Sequence, residues 1–221
     1  MVIITILLAV APALGLLYYF YKKDTLRPEP KGAIIKTVIF GIIIVAPVAL
    51  IETLLSPITT GMSQFGYALV TGFIIAAGTE EGFKYLVIKR VTAKSASFDE
   101  VTDGIVYTIA ISMGFALFEN ITYSVGDPLS TVLIRGITAV PLHALASGIM
   151  GYYIGSAKFN KEVSSRKGLF IAIGIHGLYD FFLMTETLLW VLIIPLLIIS
   201  WRGLHRLYRQ AQIEDRYYGR S

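Results

Sequence analysis

The sequence predicts an all-α, polytopic membrane protein of about seven transmembrane helices bundled around a polar patch at mid-depth. Three observations carry that expectation. The 221 residues are 55% hydrophobic and only 15% charged, whereas soluble domains carry roughly 25% charged residues. The apolar residues gather into runs long enough to cross a bilayer. Basic residues then fall in every second loop between those runs.

The first run, 2–21, has no basic region ahead of it and leads straight into Tyr21-Lys22-Lys23-Asp24, which reads as a retained anchor rather than a cleaved signal peptide. The loop 22–31 carries Lys22, Lys23, Arg27 and Lys31, and prolines flank Glu29 in its turn-rich stretch 24–30. The second run, 33–55, has Lys36 where it can snorkel to the interface. The loop 56–64 has no basic residue. The third run, 65–88, encloses Gly78-Thr79-Glu80-Glu81-Gly82-Phe83-Lys84 and is followed by Lys89, Arg90 and Lys94.

The fourth run, 104–125, leads to 124–130, again without a basic residue. The fifth, 130–155, is followed by Lys158, Lys161, Arg166 and Lys167. The sixth, 168–184, is the shortest but one, and 185–187 carries no charge of positive sign. The seventh, 187–202, ends in a tail with Arg202, Arg206, Arg209, Arg216 and Arg220. This alternation predicts an N-terminus outside and a cytoplasmic C-terminus in a multi-pass cell-membrane protein, and a missed helix would break it. With no repeat and no room for a soluble domain between runs, residues 1–221 read as a single integral membrane domain. The net charge of +4 is accounted for by these loops, so no nucleic-acid partner is expected. The lipid bilayer is the expected surroundings, and the Arg/Tyr-rich tail is placed to touch anionic lipid. Glu52 and Arg135 fall near outer ends of their runs and are expected to pair or to reach the headgroups.

The remaining charges lie deep. At about 1.5 Å per helical residue, Glu80 and Glu81 come about 13–15 Å from the cytoplasmic edge of the third run. Glu119 and His143 come at roughly 23 and 20 Å, and His176 and Asp180 at roughly 13 and 20 Å. Four runs thus place ionisable groups in one band, at a cost of about 2.5–3.5 kcal/mol per carboxylate on insertion scales. Such groups are tolerated where they face one another or a wet interior. Lys84 lies one turn after Glu80 on the same face but cannot neutralise both glutamates, which point about 100° apart. His176 and Asp180 are spaced to share a face. Pro141 lacks an N–H and marks a kink near a cavity. Small residues among them (Ala76, Ala77, Gly78, Gly114, Gly174, Gly177) allow close helix approach.

The set restricts the chemistry. There is no cysteine, which removes thiol catalysis and thiolate metal sites. Ser112 and Ser147 stand in no nucleophile motif, and neither His-Glu-x-x-His nor Gly-x-Gly-x-Asp occurs. Carboxylates with histidines and no nucleophile fit direct activation of water, with a carboxylate taking the proton and an imidazole supporting the oxyanion. On this reading the Glu80/Glu81 pair is the base, Glu119 orients the water or shares its proton, His176 donates to the oxyanion and Asp180 fixes its ring. His143 joins the site. Two alternatives stay open: a hydrolase with His143, His176 and carboxylates holding Zn²⁺, and a proton-coupled carrier, which the lack of an internal repeat weakens. No cofactor is required by the first reading.

Glu80-Glu81-x-x-Lys84, Phe118-Glu119-Asn120-x-x-Tyr123, His143 and His176-x-x-x-Asp180 resemble the PrsW family of membrane-embedded proteases, as do Tyr21, Asp24, Glu29-Pro30 and Asp103-Gly104-x-x-Tyr107. The resemblance runs in order along nearly the whole chain and makes Lys84, Asn120 and Tyr123 supporting residues. That family is similar to the CAAX prenyl protease and bacteriocin-processing superfamily. There an arginine follows the paired glutamates, in a place related but not identical to that of Lys84 here, and where that superfamily has a Phe-x-x-x-His motif, Phe115-x-x-x-Glu119 carries a glutamate instead. The resemblance implies a glutamic-type intramembrane protease. Its expected partner is a membrane-protein substrate such as a single-pass anti-sigma factor, cut first in regulated intramembrane proteolysis during a stress response.

Overall fold

A computed structural model describes residues 2–218. The described residues form seven helical rods and no strand. The rods are α1 (Val2–Lys23), α2 (Lys31–Leu55), the broken rod α3 (Gln64–Val70) and α4 (Ala77–Arg90), α5 (Val101–Gly126), the kinked pair α6 (Leu129–Ile137) and α7 (Ala139–Phe159), α8 (Ser165–Met184) and α9 (Ile193–Tyr218). Six of them are long and apolar enough to cross a membrane. The rod α3–α4 is not among the six, because a π-helical turn, Thr71–Ala76, interrupts it and it carries Glu80, Glu81 and Lys84. Those charges turn inward, so the continuous apolar span expected over 65–88 is instead a polar-faced rod in the bundle.

Helix α5 is the hub. Its stretch from Val101 to Ala116 is buried on every side, which suits a helix enclosed by others. Glycines set how closely its neighbours approach. A Cβ on Gly114 would lie 2.1 Å from the Val38 carbonyl oxygen of α2, and one on Gly104 would lie 2.3 Å from that of Gly151 in α7. Gly177 of α8 lies under the Phe73 ring and brings the π-turn onto α8. The expectation for Gly174 does not hold, since a Cβ there would meet nothing within 4 Å.

Two other expectations change. The run 130–155 is two helices, because the chain breaks at Thr138, whose hydroxyl turns back onto the Ile134 carbonyl at 2.7 Å. Pro141 three residues later has no N–H to continue the ladder across that point. The seventh helix does not stop at 202: after a 3₁₀ turn (Leu188–Leu192) it runs through Tyr218. Glu214 accepts from Tyr152 and Ser156 of α7, and Asp215 caps the α5 N-terminus through Val101 and Thr102, so the tail is docked. Arg202, Arg206 and Arg209 stay on its exposed face; Arg220 lies outside the described residues.

Candidate active site

Lys84 stands at the centre. It is fully buried, and its ammonium donates to Glu81 Oε1 at 2.8 Å, Glu80 Oε2 at 3.2 Å and His143 Nδ1 at 3.3 Å. Its positions three and four residues after the two glutamates let one side chain reach both, despite their divergence around the helix. The Phe115 ring lies 4.5 Å from the ammonium, which explains the phenylalanine of Phe115-x-x-x-Glu119 as a cation–π partner.

The two glutamates differ in surroundings. Glu81 is fully buried and saturated: besides Lys84, its Oε1 meets His176 Nδ1 at 3.1 Å and its Oε2 accepts from Ser147 Oγ at 2.8 Å. Glu80 lines a cavity of about 660 Å³. The cavity runs from the loops without basic residues, past Gln64 and Glu186, down to Glu80, His143 and His176. Among the polar atoms buried in its wall, Thr71 Oγ1 and Asp180 Oδ2 have no hydrogen-bond partner among the described residues.

Each histidine bridges two groups. Because Lys84 donates to His143 Nδ1, the ring proton sits on Nε2, which donates to Glu119 Oε2 at 3.0 Å. The His143 and His176 rings stand perpendicular with centroids 4.9 Å apart. His176 is held by Glu81 at Nδ1, while Asp180 lies at a looser 3.4 Å from Nε2. The expected holder of this ring was Asp180; Glu81 makes the shorter contact because the π-turn brings α4 against α8.

All six candidate catalytic residues, Glu80, Glu81, Glu119, His143, His176 and Asp180, come together around this cavity and its floor. The supporting set joins them. Asn120 Oδ1 accepts from Arg135 Nε at 3.1 Å, and the Arg135 guanidinium lies 3.8 Å over the Tyr123 ring. Arg135 and Glu52 depart from expectation, for both face the cavity. Arg135 Nη2 lies 2.9 Å from Glu119 Oε1, and Glu52 accepts from Thr79 at 3.2 Å. The kink at Thr138 turns α6 so that Arg135 reaches inward. Ser147 and Ser112, set aside as nucleophiles, serve as hydrogen-bonding support: Ser112 donates to the His143 carbonyl at 2.9 Å. Ser147 was findable, being one turn from His143 on the same face.

Glu80, Glu81, His143 and His176 have ligand atoms all within 4.8 Å of one another. Two carboxylates and two imidazoles are zinc's ligand types, so the donor set fits that metal. The Lys84 ammonium, however, already holds one oxygen of each glutamate and the Nδ1 of His143.

A family model described as "PrsW family intramembrane metalloprotease" matches residues 29–202. Among curated proteins the chain is similar to Protease PrsW of Geobacillus kaustophilus, at 36% identity over 80% of this chain and 78% of that protein. It is 34% identical to Protease PrsW of Oceanobacillus iheyensis over 90% of this chain and 93% of that one. For Protease PrsW of Bacillus subtilis the identity is 32%, over 87% and 88%. No solved structure gives a significant match.

Proposed function

Since the chain belongs to the PrsW family of intramembrane proteases, we propose that it cuts a peptide bond of a membrane-protein substrate with a water activated at Glu80. The observation that carries this reading is the asymmetry of the pair: Glu80 lines the cavity, whereas Glu81 is buried and saturated. Lys84 holds Glu80 Oε2, which leaves Oε1 without a protein partner among the described residues and able to accept from water.

Glu80 removes a proton from that water, the resulting hydroxide attacks the scissile carbonyl carbon, and charge develops on the carbonyl oxygen. His176, held at Nδ1 by a carboxylate that only accepts, acts as an imidazolium, and its Nε2–H supplies the oxyanion donor, exchanging its 3.4 Å contact with Asp180 for the developing charge. Glu81 keeps the ring in place from the other nitrogen. Glu119 orients the water from the opposite wall, fixed by Arg135 and His143. The proton on Glu80 then passes to the leaving amine as the tetrahedral intermediate collapses.

The metal reading is supported by the spacing of the donor set. Glu80, Glu81, His143 and His176 would hold the ion, and Lys84 would have to give up its contacts. A bound zinc would polarise the carbonyl and lower the pKa of its water.

The cavity opens on the face whose loops carry no basic residue. By the charge rule that face is outside the cell, with the N-terminus, and the C-terminus is cytoplasmic. We assign the whole chain, 1–221, to one integral membrane protease domain acting on the outer part of a substrate's span. Its substrate class is a single-pass membrane protein, an anti-sigma factor by family resemblance. Co-expression with candidate single-pass proteins tests this. Wild type should yield a shortened product absent with Glu80→Gln/Glu81→Gln, and identical substrate patterns for the two would count against a protease role.

A further inference from the structure

On the opposite face, the ends of α4, α7 and α8 enclose a second cavity, of about 470 Å³. Cations from each helix end or its loop line it: Lys89, Lys158, Lys161 and Arg166, against one carboxylate, Glu162. Lys158 is already engaged, donating to the Ala93 carbonyl at 2.9 Å and to that of Phe98. Lys89 leans inward to Ser165 Oγ at 3.0 Å. Lys89, Lys161 and Arg166 form no ion pair among the described residues. No side chain caps the 20-residue helix α8, which begins in this wall, so its first N–H groups add to the positive potential.

The apolar neighbours narrow the ligand class. Leu86 lies one turn before Lys89 on α4, and Phe170 one turn after Arg166 on α8. Both directions lead toward the bundle's middle, and both side chains are exposed, Leu86 by 42% and Phe170 by 69%. Cations at the membrane edge with apolar faces directly beneath match a phosphate joined to acyl chains better than a free anion.

We propose that this cavity binds the phosphate headgroup of an anionic phospholipid, with the acyl chains lying along Leu86 and Phe170. The cavity is remote from the carboxylate–histidine cluster, and the inference stands without any assignment of the reaction. Basic pockets between transmembrane helices on the cytoplasmic side are a known form of lipid recognition.

The test uses the purified full chain in detergent, with bound lipid counted by native mass spectrometry during titration with phosphatidylglycerol or phosphatidylcholine. Wild type should retain phosphatidylglycerol in clear preference. Lys161→Gln/Arg166→Gln should weaken that retention roughly 30-fold, at about one surface charge's worth per residue. Lys161→Arg/Arg166→Lys should retain it, which guards against misfolding, and so should Arg206→Gln/Arg209→Gln on the exposed face of α9. Equal retention of both lipids, or equal loss from the α9 variant, would overturn the proposal. Displacement of the lipid by millimolar inorganic phosphate would also overturn it, making the ligand a soluble phosphate.

Discussion

At the residue scale the centre is a buried ammonium shared by two carboxylates. Breaking such a pair from one side costs about 3–5 kcal/mol, because a charge is left buried without its partner. Glu81, with every neighbour engaged and no exposure, carries that structural burden. Glu80 keeps an oxygen toward the cavity. The two substitutions should therefore separate. Glu80→Gln is expected to keep near-normal thermal stability in detergent and lose roughly 10²–10⁴-fold in cleavage rate. Glu81→Gln should lower the melting temperature markedly as well as activity. Equal stability for both, with equal loss of rate, would remove the distinction between them. The sequence made all six residues legible, since each is an ionisable group too costly to leave in lipid. It did not separate the glutamates, because adjacency in a chain says nothing about which one a cavity reaches. Nor did it reveal Arg135 and Glu52 as cavity residues: near a span's end, a charge facing inward and one facing the headgroups look alike.

At the scale of elements, carboxylates tie three segments together beneath α5. Glu29, in the α1–α2 loop, accepts from Tyr107; Asp103 caps α5 through Asp99 and Glu100; and Asp215 of α9 binds Val101 and Thr102. Asp24 and Glu100 are buried at this junction. Burial, then the nearby Glu29 carboxylate, pushes the Asp24 pKa up to about 6. Burial, then Asp215 and Asp24, raises Glu100 to about 7, with Arg27 opposing. Both folded values lie above the ordinary carboxylate range, so the folded state binds more protons than the unfolded one between about pH 4 and 7. Stability should then fall as pH rises through that window. Thermal unfolding in detergent at pH 5.5 and 8 (both about) should show higher stability at the lower value, and Asp24→Asn/Glu100→Gln should flatten the difference. An unchanged slope in that variant would place the dependence elsewhere. The helices themselves were legible from apolar runs, and Pro141 signalled a kink in the fifth, but its place at Thr138 and the π-turn were not legible, since both depend on packing against α8 and the cavity. The docked end of α9 was hidden because its arginines read as an ordinary basic tail, while the contacts are made by Glu214 and Asp215.

At the scale of the molecule, a water-accessible cavity opens on the face without basic loops, and a basic cavity lies at the other face. Reporter fusions within 56–64 and after Tyr217 should report opposite compartments, the first outside; one shared compartment would contradict a seven-rod bundle crossing the membrane throughout. The central claim, hydrolysis by glutamate-activated water at Glu80, is tested most directly on purified protein and a cleavable membrane substrate. Cleavage rate would be followed before and after chelation, with bound metal quantified in the same samples. The account predicts turnover that survives chelation in protein carrying no stoichiometric metal, and that is lost in Glu80→Gln. Stoichiometric zinc whose removal abolishes cleavage, and whose return restores it, would contradict the account and give the four-residue donor set to the metal.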